Sequence, residues 1–402
     1  MNQLQMLKMA LIAYVNSMKT IWSAIAYPLS IVSKRKGALK DYRIYGNSIQ
    51  GGTPTSEAPI EIQSVGELIT EGEYEGKYKI PIIVRGKNYF DLDKIPFNTS
   101  TTQPYNNGLK ATKIASMNGT SRIPIYLPVG KTIYITMDVV ASQIEGTSDR
   151  IGIRFYNSEN TMVKSFQLTS SIAHKSYSFT LSEDISYIQF YFQANNSSNA
   201  VGDYVTMDNI MLRCEGDDTF EPYIEPQNFD IYFDEPLRKA GDYADCIDFE
   251  NQKVVRNIKQ EIITEIDVMS GDKTTYVKFT PQISEKPLIN GKGTLGTGMA
   301  ISNKFKSINV SYRYLGDYGG VIMPYITSSN KNTVALTFND TSINTITEAQ
   351  AAIGDGFDVC YILAEPTEED IELPKLPQFK GTTIYEVDTT IKPSGMEVCY
   401  YE

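Results

Sequence analysis

The sequence holds one histidine, His174, and one tryptophan, Trp22. A lone imidazole cannot build a histidine-rich metal centre, and it is the only ring available as base to a serine or cysteine nucleophile. The composition therefore points away from most hydrolytic enzymes. Cysteine is scarce too: Cys214, Cys246, Cys360 and Cys399 stand far apart and form no CxxC pair. That argues against a thiolate zinc site, and the chain is too long for the disulfide framework of a small secreted domain. We read the four as small buried apolar residues and expect no metal and no cofactor. Basic residues are outnumbered 37 to 48, for a formal charge of −11. Nucleic acid and anionic membranes both require a basic footprint, so neither is an expected partner.

A long uninterrupted apolar run is also missing. The first 28 residues come nearest, but Lys8, Asn16 and Lys19 break them up, whereas a membrane-spanning helix needs about 18 or more apolar residues in a row. What this segment does have is helical periodicity. Leu4, Leu11, Met18 and Ile25 fall seven apart, Leu7, Tyr14 and Ile21 fill the intervening positions, and Pro28 ends the pattern. Met6, Met9, Ile12, Val15 and Trp22 add apolar surface outside that seam. A helix so covered packs in a bundle or docks into a larger assembly. The competing reading is an uncleaved signal or membrane anchor, since Ala24-Ile25-Ala26 resembles a cleavage site. A short basic stretch, 33–40, reads as a solvated linker.

From Asp41 onward the period changes to two. Stretches such as 77–86, 131–140, 150–157, 187–195, 204–213 and 308–316 are rich in Ile, Val, Tyr, Phe and Thr and are separated by Gly, Asn, Pro and Ser clusters. With 402 residues there is room for two or three domains. The predicted fold class is mostly β: antiparallel sandwich or jelly-roll domains preceded by an N-terminal α-helix. One internal helix is signalled by Thr345 and Glu348 at capping-box spacing, with Gly354 to stop it. The turn-rich seams suggest a docking helix and linker at 1–40 and a β domain made of 41–90 and 227–260. An inserted module occupies 91–226, and a C-terminal β domain 261–402.

Several of these segments look familiar. Tyr45-Gly46-Asn47-Ser48-Ile49-Gln50-Gly51-Gly52-Thr53-Pro54-Thr55, with Ala58-Pro59-Ile60-Glu61-Ile62, resembles a stretch recurrent in tail proteins of phages of Gram-positive bacteria. Val84-Arg85-Gly86-Lys87-Asn88-Tyr89-Phe90-Asp91 resembles its usual continuation. Leu237-Arg238-Lys239, Gly241-Asp242-Tyr243-Ala244-Asp245 and Ile247-Asp248-Phe249 are similar to another such segment. So is the ending, Lys380-Gly381-Thr382-Thr383 to Met396-Glu397-Val398. The 91–226 block looks like a carbohydrate-binding-module jelly roll, on its Tyr/Phe-rich strands, its 205–212 strand and the closing Phe220-Glu221-Pro222-Tyr223. The resemblance implies a non-enzymatic virion component: a baseplate-attached fibre or receptor-binding protein, assembled in the bacterial cytoplasm and resident in the tail. It implies a homo-oligomer, by the habit of such fibres a trimer, with other tail or baseplate subunits and a bacterial cell-surface glycan as partners.

Candidate sites follow from the alternation. Ile151, Ile153 and Phe155 share one face, and Gly152, Arg154 and Tyr156 the other; Ile188, Phe190 and Phe192 alternate likewise with Gln189, Tyr191 and Gln193. A concave sheet presenting Arg154, Tyr156, Gln189, Tyr191 and Gln193 would offer rings to stack on sugars and polar ends for their hydroxyls. The plainer reading makes this the solvated side of a sandwich, and the lack of tryptophan in the module counts against a strong sugar platform. The docking or oligomerisation contacts are assigned to Leu4, Leu7, Leu11, Tyr14, Met18, Ile21, Trp22 and Ile25. The glycine-rich run 290–296 contains a GxGxxG match but reads as a β-turn, because no helix pattern follows it. The acid pairs Asp91/Asp93, Asp217/Asp218 and Glu368/Glu369 read as solvated loop carboxylates rather than a glycosidase pair. Asp203 and Asp208 are weak calcium candidates, and His174 is expected in a loop without a specific role. Two other readings stay open: a purely architectural tail-tip protein, and a glycan depolymerase.

Overall fold

The computed structural model describes residues 29–33, 41–95, 97, 102–112, 118–119, 122–127, 131–143, 151–168, 171–180, 182–192, 201–214, 217–270, 275–291, 297–326 and 332–399. The fold is mostly β, with nearly all strand pairs antiparallel. The eight residues assigned to the docking helix, Leu4 to Ile25, lie outside the described residues, as does Gln193. Within the segment read as helix and linker, Leu29–Ser33 is a strand that pairs with Thr383–Val387.

The inserted module is a two-sheet sandwich. One sheet runs in the order Ala173–Thr180, Thr132–Gln143, Tyr204–Arg213, Gly108–Thr112, Thr102–Tyr105; the other Ile123–Leu127, Ile185–Phe192, Ile151–Tyr156, Met162–Leu168. The period-two alternation is the reason they pack. Ile133, Ile135 and Met137 from the first sheet and Ile153, Phe155, Ile188 and Phe190 from the second all bury their side chains in one core. Each such side chain contributes about 1.5–3 kcal/mol of burial. Phe155 also packs against Phe179 and Phe166, with ring centroids 4.8 and 6.2 Å away.

Besides smaller clusters around Leu315 and Ile258, the base beneath the module has two large cores. One is made by Tyr42, Ile44, Ile80, Ile82, Val84, Ile231, Phe233, Tyr385 and Val387. The other holds Phe279, Phe305, Leu336, Phe338, Phe357, Val359 and the inner face of the Ile346–Ile353 helix. That helix has both bonds of a capping box, between Thr345 and Glu348. One six-stranded sheet serves both cores, in the order Ala300–Ser302, Phe357–Asp370, Lys253–Ile263, Cys246–Asp248, Asp41–Tyr45, Gly395–Cys399. Val254 points into the first core and Ile263 into the second. The seam drawn at 260/261 therefore falls inside one continuous strand, Lys253–Ile263. Thr383–Val387 lies beside Tyr78–Arg85, so the end of the chain returns to the sheet of its beginning.

The module enters and leaves the base at one buried polar junction. Lys87, 1% exposed, places its ammonium 3.1 Å from Asp217 Oδ1 and 3.1 Å from Glu221 Oε1. Glu221 also accepts bonds from the Thr382 amide and hydroxyl, each at 2.9 Å. Gly381 is required there: its φ is +102°, and a Cβ would sit 2.8 Å from the Glu221 carboxyl. Next to Lys87, buried Asn88 accepts from the amides of Phe90 and Leu212 and donates to the Glu221 carbonyl. Three segments that stood apart in sequence, 84–91, 220–223 and 380–383, thus meet in space. A second junction centres on Asp245, fully buried. Its carboxylate accepts from the amides of Arg238, Asn257 and Ile258 and lies 3.6 Å from Arg256 Nη1.

Removing the cation at the first junction leaves Glu221 without its ion-pair partner in a largely dry site. Lys87→Ala is expected to cost the full chain about 3 kcal/mol, read as a lowered urea midpoint by circular dichroism. A cost below about 1 kcal/mol would show the pair to behave as a solvated surface bridge.

Candidate functional site

The outer face of the Ile185–Phe192, Ile151–Tyr156, Met162–Leu168 sheet carries four of the five residues assigned to glycan contact. The register sets them together: Arg154 lies opposite Gln189 on one side and Ser165 on the other, Gly152 opposite Tyr191, and Tyr156 opposite Tyr187. Tyr156 donates to Gln189 Oε1 at 3.0 Å. The Tyr191 hydroxyl lies 3.0 Å from Ser165 Oγ.

This is not an open aromatic platform. Tyr156 and Tyr191 are each only 7% exposed. The Arg154 guanidinium lies over the Tyr191 ring, 3.7 Å from its centroid, and that of Arg122 lies over Tyr156 at 4.1 Å. Cation–π stacking thus occupies a ring face that a sugar would use. Tyr191 lies flat because its neighbour is Gly152, where a Cβ would come within 2.1 Å of the ring. Arg122 also bonds the side chain of Asn160, in a turn organised by Asn157, whose Oδ1 accepts from the amides of Glu159 and Thr161. The outward-facing chemistry is that of guanidinium edges and the Gln189 amide. Sequence reasoning found the strand positions but not Arg122, which sits just ahead of the neighbouring Ile123–Leu127 strand and joins the face only through the sheet pairing.

The remaining candidates are placed as follows. His174 is in the strand Ala173–Thr180, not a loop, with Nδ1 2.8 Å from Asp138 Oδ1 on the facing strand. Asn209 donates to the other Asp138 oxygen at 2.8 Å. Burial raises the Asp138 pKa, but the hydrogen bonds from Asn209 and His174 outweigh it and hold the carboxyl below its ordinary value. Asp208 accepts from the Asn107 and Asn209 amides and from the Asn106 side chain. Among the described residues no group of three or more His, Cys, Asp or Glu is arranged to hold a metal.

Each acid pair has at least one carboxylate committed elsewhere. Asp91 caps the turn Leu92–Lys94, Asp217 faces Lys87, Glu368 pairs with Lys253, and Glu369 takes two bonds from Arg256. The thiols of Cys214 and Cys360 are pushed up by burial, to about 11 and about 12, so both are protonated and poor nucleophiles at neutral pH. Asn290 and Thr297 form a bridge across the glycine-rich run, whose residues 292–296 lie outside the described ones.

Two outcomes follow. Gly152→Ala is expected to lift Tyr191 off the sheet and lower stability by about 1–3 kcal/mol by thermal melting; an unchanged melt would mean the ring has room to move. Because the folded pKa of Asp138 is depressed, its stabilisation is complete above its ordinary pKa of about 3.9 and disappears as pH falls through the folded value. Asp138→Asn should therefore flatten the acid limb of a stability-against-pH curve while changing little in slope above pH 5, and an unaltered acid limb would contradict this.

No family model matches the chain, and no curated protein matches it. Among solved structures, the secreted serine protease VesC from Vibrio cholerae is similar at 7% identity with a TM-score of 0.22. The match spans 47% of this chain and 44% of that one, and at that level it bears neither on fold nor on activity.

Proposed function

We propose that the chain is a non-enzymatic structural and host-attachment component of a phage tail or tail-like particle, oligomeric, docking by its N-terminal helix and presenting its jelly roll to the host surface. The reading rests on the resemblance of segments 45–62, 84–91, 237–249 and 380–398. The observation that carries it is the single junction at Lys87, Asn88 and Glu221, where the inserted sandwich is tied to the base at both of its chain crossings. Such an anchor suits a module that must hold a binding face at a fixed angle. At least one carboxylate of each acid pair serves a cap or an ion pair, which supports display over glycan cleavage. One observation favours the architectural alternative: the covered rings of Tyr156 and Tyr191 suit a face that packs on a neighbouring subunit.

The test is retention of labelled full-length chain on intact Gram-positive cells. The wild type is expected to bind, and Arg154→Ala with Gln189→Ala, melting within a few degrees of it, to lose about tenfold or more. A folded wild type that binds no cells would overturn host attachment and leave the architectural reading.

A further inference from the structure

The outer face of the jelly roll carries two cations that form no ion pair among the described residues; the Asn157 turn that Arg122 joins also holds Glu159, and the Asn157 side chain bonds Glu183. Arg154 and Arg122 each lie over a tyrosine ring, and Arg122 bonds the neutral Asn160 side chain. Among the described residues neither forms an ion pair, and neither has a further polar partner. The Nε of Arg154 is buried without a hydrogen bond, the residue as a whole being half-buried. Arg85 and Arg213 also lie over tyrosine rings but are themselves buried, and Arg313 lies over Tyr314; Arg154 and Arg122 are more accessible than the first two. The arginines at 43, 238 and 256 all face carboxylates.

The two guanidiniums also share a surface. Residues 154 and 156 point the same way on one strand, about 7 Å apart, and Arg122 covers the second. Stacking fixes each guanidinium plane; with Arg122 Nη1 on Asn160 and Arg154 Nε buried, the remaining N–H groups are those an anionic oxygen would meet. The Gln189 side chain lies between them, opposite Arg154 and bonded to Tyr156. Repeated cations beside an amide match a polymer with an anion on each repeat and hydroxyls between.

Resting on the host-attachment reading above, we infer that this face binds an acidic surface glycan or polyol phosphate, through carboxylate or phosphodiester oxygens held by Arg154 and Arg122. Neutral sugars stacked on the tyrosines are not its ligands.

The experiment is affinity electrophoresis and calorimetry of the full chain with polygalacturonate, with poly(glycerol phosphate) and with neutral dextran. Binding is expected to at least one polyanion and not to dextran, and the polyanion that binds distinguishes carboxylate from phosphodiester. Arg154→Gln and Arg122→Gln should each weaken it about tenfold, and Arg154→Lys should weaken it less. Arg313→Gln, which removes the same charge from an exposed position in the base, should leave it unchanged. Dextran binding, polyanion binding indifferent to both site variants, or no binding to either polyanion would overturn the inference. Cell binding that survives both variants would sink this inference and leave host attachment standing. Arginine-dependent polyanion binding without cell binding would do the reverse.

Discussion

A lysine ammonium taken almost wholly out of water is the constraint on which the arrangement of this chain depends. Desolvating such a group costs several kcal/mol unless carboxylates take the place of water. Lys87 obtains two, from Asp217 and Glu221, and both belong to the segment by which the jelly roll returns to the base. Glu221 in turn holds the 381–382 turn, from which the Thr383–Val387 strand enters the sheet beside Tyr78–Arg85. The ion pair therefore ties the entry to the module, its exit and the last part of the chain to one point. Asn88 reinforces the same point with bonds to backbone on both sides.

The candidate face inherits its orientation from that anchor. It lies on the outer side of the sheet whose inner side supplies Ile153, Phe155, Ile188 and Phe190 to the module core. A sheet with one face in a close-packed core has little freedom to change register, so the outer residues are held as firmly as the inner ones. On this face the tyrosines act as beds for guanidinium groups. In the proposed mode of binding a partner would meet the polar edges of Arg154 and Arg122, by charge-assisted hydrogen bonding rather than stacking.

Much of the fold was legible because the relevant signals are local. Most period-two runs became strands, though 308–316 did not and ends in the 3-10 helix Tyr312–Asp317. Alternation put Ile153, Phe155, Ile188 and Phe190 on what is the core face, and the Thr345–Glu348 spacing marked a helix that does carry its capping box. What local signals do not encode is pairing at long range. Residue 260 looked like a seam because turns flank the region, yet Lys253–Ile263 is long enough to reach two cores. Nothing near His174 announced that its partner would be Asp138 on the facing strand. For the candidate face, alternation gave the correct side of the strand but not exposure. Whether a tyrosine stands open depends on its cross-strand neighbours, here Gly152 beneath Tyr191 and Arg122 above Tyr156. The segments resembling phage tail proteins were conspicuous in sequence, and several of their residues, Lys87, Asn88, Arg238, Asp245 and Thr382 among them, prove to be junction residues.

Hydrogen exchange of the full chain tests the central claim most directly. The amides of Tyr89, Leu212 and Thr382 are bonded to Leu212 O, Asn88 Oδ1 and Glu221 Oε2, so they report the junction itself. If the buried ion pair fixes the jelly roll on its base, these three should exchange as slowly as the core strands Thr132–Gln143 and Tyr78–Arg85. Rapid exchange at the three amides while those strands remain protected would mean that the module swings freely, and would contradict the account.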